Sequence, residues 1–169
     1  MLFHMGNMTS IVSRVYGVKT EVQDTRGIQN EPPRAFHPNM LLVRWEMAAR
    51  AQSWVAAMGI AKAIIVKLPG EPIGWIYHAF AQQQIGHVDE ARQTLLAAAR
   101  KFPNDWRIPY NLACYTAQLG DIAGAWNWFD RALEIGDAAI IQASAMEEPS
   151  LRPLLQNAAG ESPEQGFAA

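Results

Sequence analysis

The hydrophobic pattern changes character at Pro38. Residues 1–37 show no helical period, and they close on Asn30-Glu31-Pro32-Pro33 and then His37-Pro38. From Pro38 onward, apolar positions recur at the spacing of helices that bury one face. They group into pairs, which predicts helices over 39–51 and 53–67, 72–85 and 87–101, and 106–119 and 121–135. One more helix is predicted from Ala138 to Met146. A turn and a short end piece follow through Pro149-Ser150-Leu151-Arg152-Pro153-Leu154-Leu155.

The pairs repeat. Pro69 recurs as Pro103, Gly86 as Gly120, Ala91 as Ala125, Leu95 as Phe129 and Ala98 as Ala132, each 34 residues apart. A fixed period of this size means stacked copies of one small unit, none of which buries its apolar face alone. Ala79, Ala91, Ala113 and Ala125 permit close helix contact, where larger side chains would force the helices apart. Leu95, Phe129, Leu112, Val88 and Ile122 fall on the inward stripe, and Trp54 precedes Val88 by the same 34-residue step. Trp54, Trp75 and Phe129 are therefore assigned to packing rather than to a cofactor box.

Stop and start signals agree with this division. Gly86 and Gly120 sit in the tight turns inside the second and third pairs, where a left-handed residue ends a helix. Pro38, Pro72 and Pro109 fit helix starts, whose first N–H groups lack partners anyway. Pro109 lies at the edge of the tolerated first turn if its helix opens at Trp106, so a start one or two residues later is expected. Asp89-Glu90 and Arg100-Lys101 place opposite charges at the two ends of one helix, as its dipole favours. Asn104 or Asp105 can cap the next helix.

These residues resemble the tetratricopeptide repeat, whose 34-residue pattern is W-x2-L-G-x2-Y, then A-x3-F, then P. The second unit reads Trp75-x2-His78-Ala79-x2-Gln82, then Ala91-x3-Leu95, then Pro103. The third reads Pro109-x2-Leu112-Ala113-x2-Thr116, then Ala125-x3-Phe129, with Asp137 in place of the proline. The first is weaker: Leu41-x2-Arg44-Trp45-x2-Ala48, then Ala57-x3-Ala61, then Pro69. Trp45 stands where a small residue normally lets two helices touch, so either that pair is splayed or its register differs.

The resemblance implies an all-α fold, a solenoid of helical hairpins in a right-handed superhelix with a capping helix. The expected organisation is a flexible tail over 1–37, with a strand-like piece at Ile11 to Val18, and a repeat domain over 38–156. Its repeats fall near 38–71, 72–105 and 106–139, its cap near 138–156, and a flexible tail covers 157–169. A natural start at Met40 would instead leave the first segment outside the protein.

In this family the first helices of the pairs line the concave surface. Carried over unit by unit, the groove positions are Leu42, Val43 and Glu46; then Ile76, Tyr77, Phe80 and Gln83; then Arg107, Tyr110, Asn111, Cys114 and Gln118. Spacings of this kind keep them on one helical face. The set is largely apolar and aromatic, with amide edges, and suits a peptide segment held by side-chain anchors. The same residues would equally seat the N-terminal tail or the cap helix. Only Arg107 and Asn111 match the Lys/Arg/Asn clamp with which some family members hold a peptide C-terminus, so such a clamp is not expected.

Composition narrows the rest. The chain has 169 residues, half of them hydrophobic, with six tryptophans and a net charge of −2. This suits one domain with a real core and gives no general drive toward nucleic acid or an anionic membrane. Cys114 is the single cysteine, which rules out an internal disulfide and suits a reducing, cytoplasmic setting. No secretory signal or transmembrane helix is expected.

The four histidines have no metal-ligand spacing, and no metal or cofactor is expected. Burial in apolar surroundings should raise the Cys114 pKa. His78 should be a partly buried packing residue and His87 solvated. Glu147-Glu148 reads as a solvated helix end. Trp126 should pack under the cap helix, and Trp128 should be partly buried toward the convex side.

The expected role is a non-enzymatic module binding a protein or peptide partner, with weak self-association through the ends of the stack. The alternative is a small export or assembly chaperone. Chaperones of type III secretion substrates are similar in size, helix count and groove, although residues 1–37 lack their N-terminal dimer helix.

Overall fold

The computed structural model describes residues 38–155. The expectations for residues 1–37, the strand-like Ile11–Val18 piece included, and for 157–169 lie outside them. Seven α-helices follow in order: α1 (Pro38–Arg50), α2 (Trp54–Lys67), α3 (Ile73–Gln84), α4 (Val88–Lys101), α5 (Arg107–Gln118), α6 (Ile122–Ile135) and α7 (Ala138–Glu147). A 3-10 turn spans Pro149–Leu151, and helical backbone continues over 152–155. No strand occurs among the described residues.

Each helix packs on the next in the chain, and α3 also touches α5 two places on. That pattern is a stack of helical hairpins with one shared interior. Its spine repeats at equivalent positions: Ala57, Ala91 and Ala125; Ala61, Leu95 and Phe129; Ile64, Ala98 and Ala132, all buried.

The hairpins close by one backbone device used three times. Gly86 (φ +86°) and Gly120 (φ +89°) occupy the left-handed region, as expected. The Gly86 and His87 N–H groups donate to the Gln83 and Gln82 carbonyls, each at 3.0 Å. Those of Gly120 and Asp121 donate likewise to Ala117 (3.0 Å) and Thr116 (3.1 Å). This is the Schellman pattern, which satisfies carbonyls that the helix end leaves open. In the first hairpin the same bonds run from Gln52 and Ser53 to Ala49 and Ala48, each at 2.9 Å. There Gln52 takes the left-handed conformation with φ +54°.

Trp45 resolves the irregular first unit. It is buried, which keeps that face of α1 turned to the interior. The later pairs combine a small residue on the first helix with a large one on the second, Ala79 with Leu95 and Ala113 with Phe129. The first pair reverses this, with Trp45 on α1 and Ala61 on α2, all six being buried. The bulk sits on the opposite helix, in a side chain larger than Leu95 or Phe129.

Other local expectations divide. α5 begins at Arg107 with Trp106 at its N-cap, so Pro109 is the third helical residue. That start is one residue after Trp106, as expected, and it puts Pro109 where its missing N–H has no intrahelical partner to lose. Asp105 caps the turn, its Oδ1 accepting from the Arg107 N–H at 3.1 Å. Trp126 is 42% exposed rather than covered, with its ring tilted against Phe129 at 5.9 Å. Glu147-Glu148 is half-buried rather than solvated. Glu148 Oε1 accepts from Ser150 N (3.1 Å) and Ser150 Oγ (2.7 Å), which holds the 3-10 turn.

Gly74 lies at a close approach of α3 to α2. A Cβ there would lie 2.8 Å from the Ile65 backbone nitrogen and 2.9 Å from its Cγ1. Gly74→Ala should therefore destabilise the fold by about 1–3 kcal/mol through overpacking. Gln52→Gly should stabilise it by about 0.5–1 kcal/mol, since a side chain in the left-handed region is strained. Urea midpoints of the two variants should move in opposite directions, and movement in the same direction would contradict the packing described.

Candidate functional site

The expected groove positions fall on α1, α3 and α5, and the structure treats them unequally. Val43 and Gln118 are exposed. Leu42, Glu46, Phe80, Gln83 and Arg107 are half-buried. Ile76, Tyr77, Tyr110, Asn111 and Cys114 are buried, and Ile76 has no exposed surface at all.

The aromatic side chains gather around Trp45. Its ring stacks on Tyr77 with centroids 3.7 Å apart and planes 9° from parallel. Phe80 meets Trp45 edge-on at 6.0 Å and Trp54 at 5.9 Å. Stacked and edge-to-face pairs add about 0.5–1.5 kcal/mol each beyond area burial. Tyr77 is thus fixed within an aromatic wall, and Phe80 and Trp54 are members that keep an exposed portion. Trp45 was missed as part of this wall because its repeat position calls for a small side chain. The signal was there: a tryptophan where Ala79 and Ala113 stand, compensated by Ala61.

A strip of amides borders the wall. Gln84 Nε2 donates to Gln83 Oε1 at 2.7 Å, and Gln83 Nε2 donates to Gln118 Oε1 at 3.2 Å. The second bond bridges α3 and α5 on one face. Side-chain amides both donate and accept, so a strip of this kind can pair with an extended backbone. Gln84 was not among the expected site residues.

Arg107 and Asn111 are committed locally. Arg107 forks onto Asp105, Nε to Oδ1 at 2.9 Å and a terminal nitrogen to Oδ2 at 2.5 Å. The Asn111 amide donates to the Arg107 carbonyl at 2.6 Å. Trp106 and Tyr110 form an edge-on pair at 6.0 Å beside them.

The 3-10 turn returns onto α5, and Cys114 lies beneath that return with Glu148 and Ser150 beside its thiol. Burial first, and then the Glu148 charge, push the thiol well above its ordinary range, against a weaker pull from the Ser150 hydrogen bond. A thiolate is the reactive form, so this thiol is a poor nucleophile. His78, half-buried on α3, is held below the ordinary histidine value by burial and then by the Lys62 charge. A hydrogen bond with Gln82 opposes that shift. His87 is exposed at the start of α4, its Nδ1 3.7 Å from Glu90 Oε1. Among the described residues no cluster of side chains suits a metal ion, and no helix is long and apolar enough to cross a membrane.

No family model matches the chain, and no curated protein matches it in sequence. Solved structures do resemble it. SycD, a type III secretion translocator chaperone of Yersinia enterocolitica in complex with a peptide of the translocator YopD, aligns with a TM-score of 0.55 at 16% identity. That alignment covers 72% of this chain and 86% of SycD. PcrH from Pseudomonas aeruginosa aligns at 0.54 and 22% identity over 75% of this chain and 92% of its own. PcrH in complex with the chaperone-binding region of PopB aligns at 0.53 and 22% identity, over 75% and 98%. The fold is accordingly an all-α solenoid of tetratricopeptide-type helical hairpins.

Two measurements follow from the buried groups. The unfolded chain takes up the His78 proton near pH 6.5, whereas the folded chain resists it until lower pH. Stability from this group is therefore present above pH 6.5 and lost as pH falls below it. His78→Gln should reduce the shift in urea midpoint between pH 7.5 and 5.5, and an unchanged shift would contradict the assignment. Cys114 should react with a thiol reagent at least about tenfold more slowly in the native chain than in urea. Equal rates would show that the turn does not shield it.

Proposed function

We propose that this chain is a non-enzymatic, peptide-binding helical chaperone of about three tetratricopeptide-type repeats and a C-terminal cap. It holds a segment of an exported protein against the α3–α5 face and acts in the bacterial cytoplasm. The observation that carries the reading is the pairing of a partly exposed aromatic, Phe80, with the Gln84–Gln83–Gln118 amide strip. Such a surface supplies an apolar anchor point and adjacent backbone partners, the two requirements of peptide recognition. Type III secretion chaperones of the same fold have been solved with segments of PopB, PopD and YopD, which supports this reading over a general interaction module. The environments of Cys114 and His78 favour packing roles over catalysis.

The site is narrower than the expected groove. Tyr77 and Tyr110 are buried, so their replacement would perturb the fold as well as the surface. Phe80 and Gln83 on α3, and Gln118 on α5, are the informative positions.

A photo-crosslinking amino acid in place of Gln118 should capture the partner in the native cell. Phe80→Ala should then weaken the purified complex by roughly 10–30-fold, about 1.4–2 kcal/mol, with helical content unchanged. Gln83→Ala/Gln118→Ala should weaken it less. The partner should be a secreted protein that stays soluble only when co-expressed with this chain. A partner equally soluble alone would favour a passive scaffold, and an affinity indifferent to Phe80 would sink the site.

A further inference from the structure

A second surface lies largely on the other helices of the stack. Between α4 and α6 a cleft of about 600 Å³ opens, within the range of ligand-binding pockets. Its apolar lining includes Leu96, Phe102, Pro109 and Trp128, and its cationic lining is Arg100 and Arg131.

The repeat does not require this lining. Trp128 stands 34 residues after Thr94 and 68 after Ile60, so the hairpin tolerates threonine or isoleucine at that position. Thr94 is engaged elsewhere, its hydroxyl donating to Gln82 Oε1 at 2.8 Å. Trp128 is only half-buried, unlike the spine residue Phe129 beside it. An indole kept partly open in a cleft is a binding feature more than a packing one, because aromatic side chains dominate interface energies.

Charge selects the occupant. Among the described residues the lining holds two arginines and no carboxylate, in a chain whose net charge is −2. Arg131 pairs with Glu134 at 2.6 Å, and Glu134 does not line the cleft. Arg100, at the C-terminal end of α4, is exposed and has no ion-pair partner among the described residues. Two cations on a net-negative chain are too few for a nucleic-acid backbone, which binds through many phosphate contacts. They suit a short carboxylate-bearing segment, since the guanidinium fork matches a carboxylate.

We infer that the α4–α6 cleft is a second docking site, for an acidic peptide segment of a partner protein that sets an aromatic or aliphatic side chain against Trp128 and a carboxylate against Arg100. The site uses mainly the second helices of the pairs, with Pro109 from the start of α5, shares no residue with the Phe80–Gln83–Gln84–Gln118 surface, and does not depend on the function proposed for that surface.

The probe is a fluorescein-labelled, end-blocked peptide, Asp-Glu-Leu-Phe-Asp-Glu-Leu, titrated with the full chain and followed by anisotropy. Binding should weaken as salt rises. It should fall at least tenfold in Arg100→Glu, a surface change with little effect on folding. Trp128→Ala should lower it similarly, Trp128→Phe should retain most of it, and Phe80→Ala should leave it unchanged. A probe with Lys in place of each acidic residue should not bind. The proposal is overturned if the acidic probe does not bind, or if its binding follows Phe80 rather than Arg100 and Trp128. It is also overturned if affinity rises more than tenfold in Glu161→Lys/Glu164→Lys, which would assign the cleft to the chain's own C-terminal segment.

Discussion

Two facing helices of a hairpin approach closely where a small side chain on one leaves room for the other, because overpacking would force them apart. Each pair in this stack buries a small and a large residue at these positions: Ala79 and Leu95, Ala113 and Phe129, and Ala61 and Trp45. The last pair carries its bulk on the opposite helix, and much of the site follows from that exchange. With the tryptophan on α1, the indole reaches the neighbouring hairpin and stacks on Tyr77. That stack fixes an aromatic wall against which Phe80 leans. Alanine at position 45 would leave Tyr77 without its stacking partner and the first hairpin joined to the second by less surface. Packing density close to that of organic crystals makes such a substitution felt beyond its own contacts.

How much of this was legible in the sequence depends on the physical question asked. Helix positions were, because the 34-residue period, Gly86 and Gly120 each report a backbone requirement that few other residues meet. The first hairpin shows the limit of that signal. Gln52 adopts the same left-handed conformation as the two glycines, and nothing in a glutamine announces it. The expected groove positions were legible as a face but not as a depth. Periodicity puts Ile76, Phe80 and Gln83 on one side of α3, yet Ile76 is enclosed while the other two keep exposed surface. The cover over Cys114 comes from a turn that follows the last repeat and carries no period. Its anchor, Glu148 holding Ser150, is a local capping contact that resembles a solvated acidic pair when read along the chain.

Low sequence identity beside a shared fold has the same origin. A hairpin stack fixes a few small positions, a few large ones and a left-handed turn in each unit, and leaves the remaining positions to solvent or partner. Chains at 16–22% identity can therefore superimpose over most of their length while sharing little else. Function in such a fold has to be argued from its surface chemistry, since one architecture hosts many roles.

The two helix sets of a solenoid are separately adjustable for that reason. Positions facing the spine couple neighbouring units, and a change there alters stability throughout the stack. Positions facing outward on the first helices are one surface, and those on the second helices are another. Here the first set presents an uncharged amide and aromatic strip, suited to backbone pairing and an apolar anchor. The second set presents arginines around an indole, suited to a carboxylate beside an apolar group. A single flexible polypeptide with an apolar segment and an acidic segment would satisfy both surfaces at once. Its effective concentration at the second site would then rise once the first was engaged, which makes modest affinity at each sufficient for a durable complex.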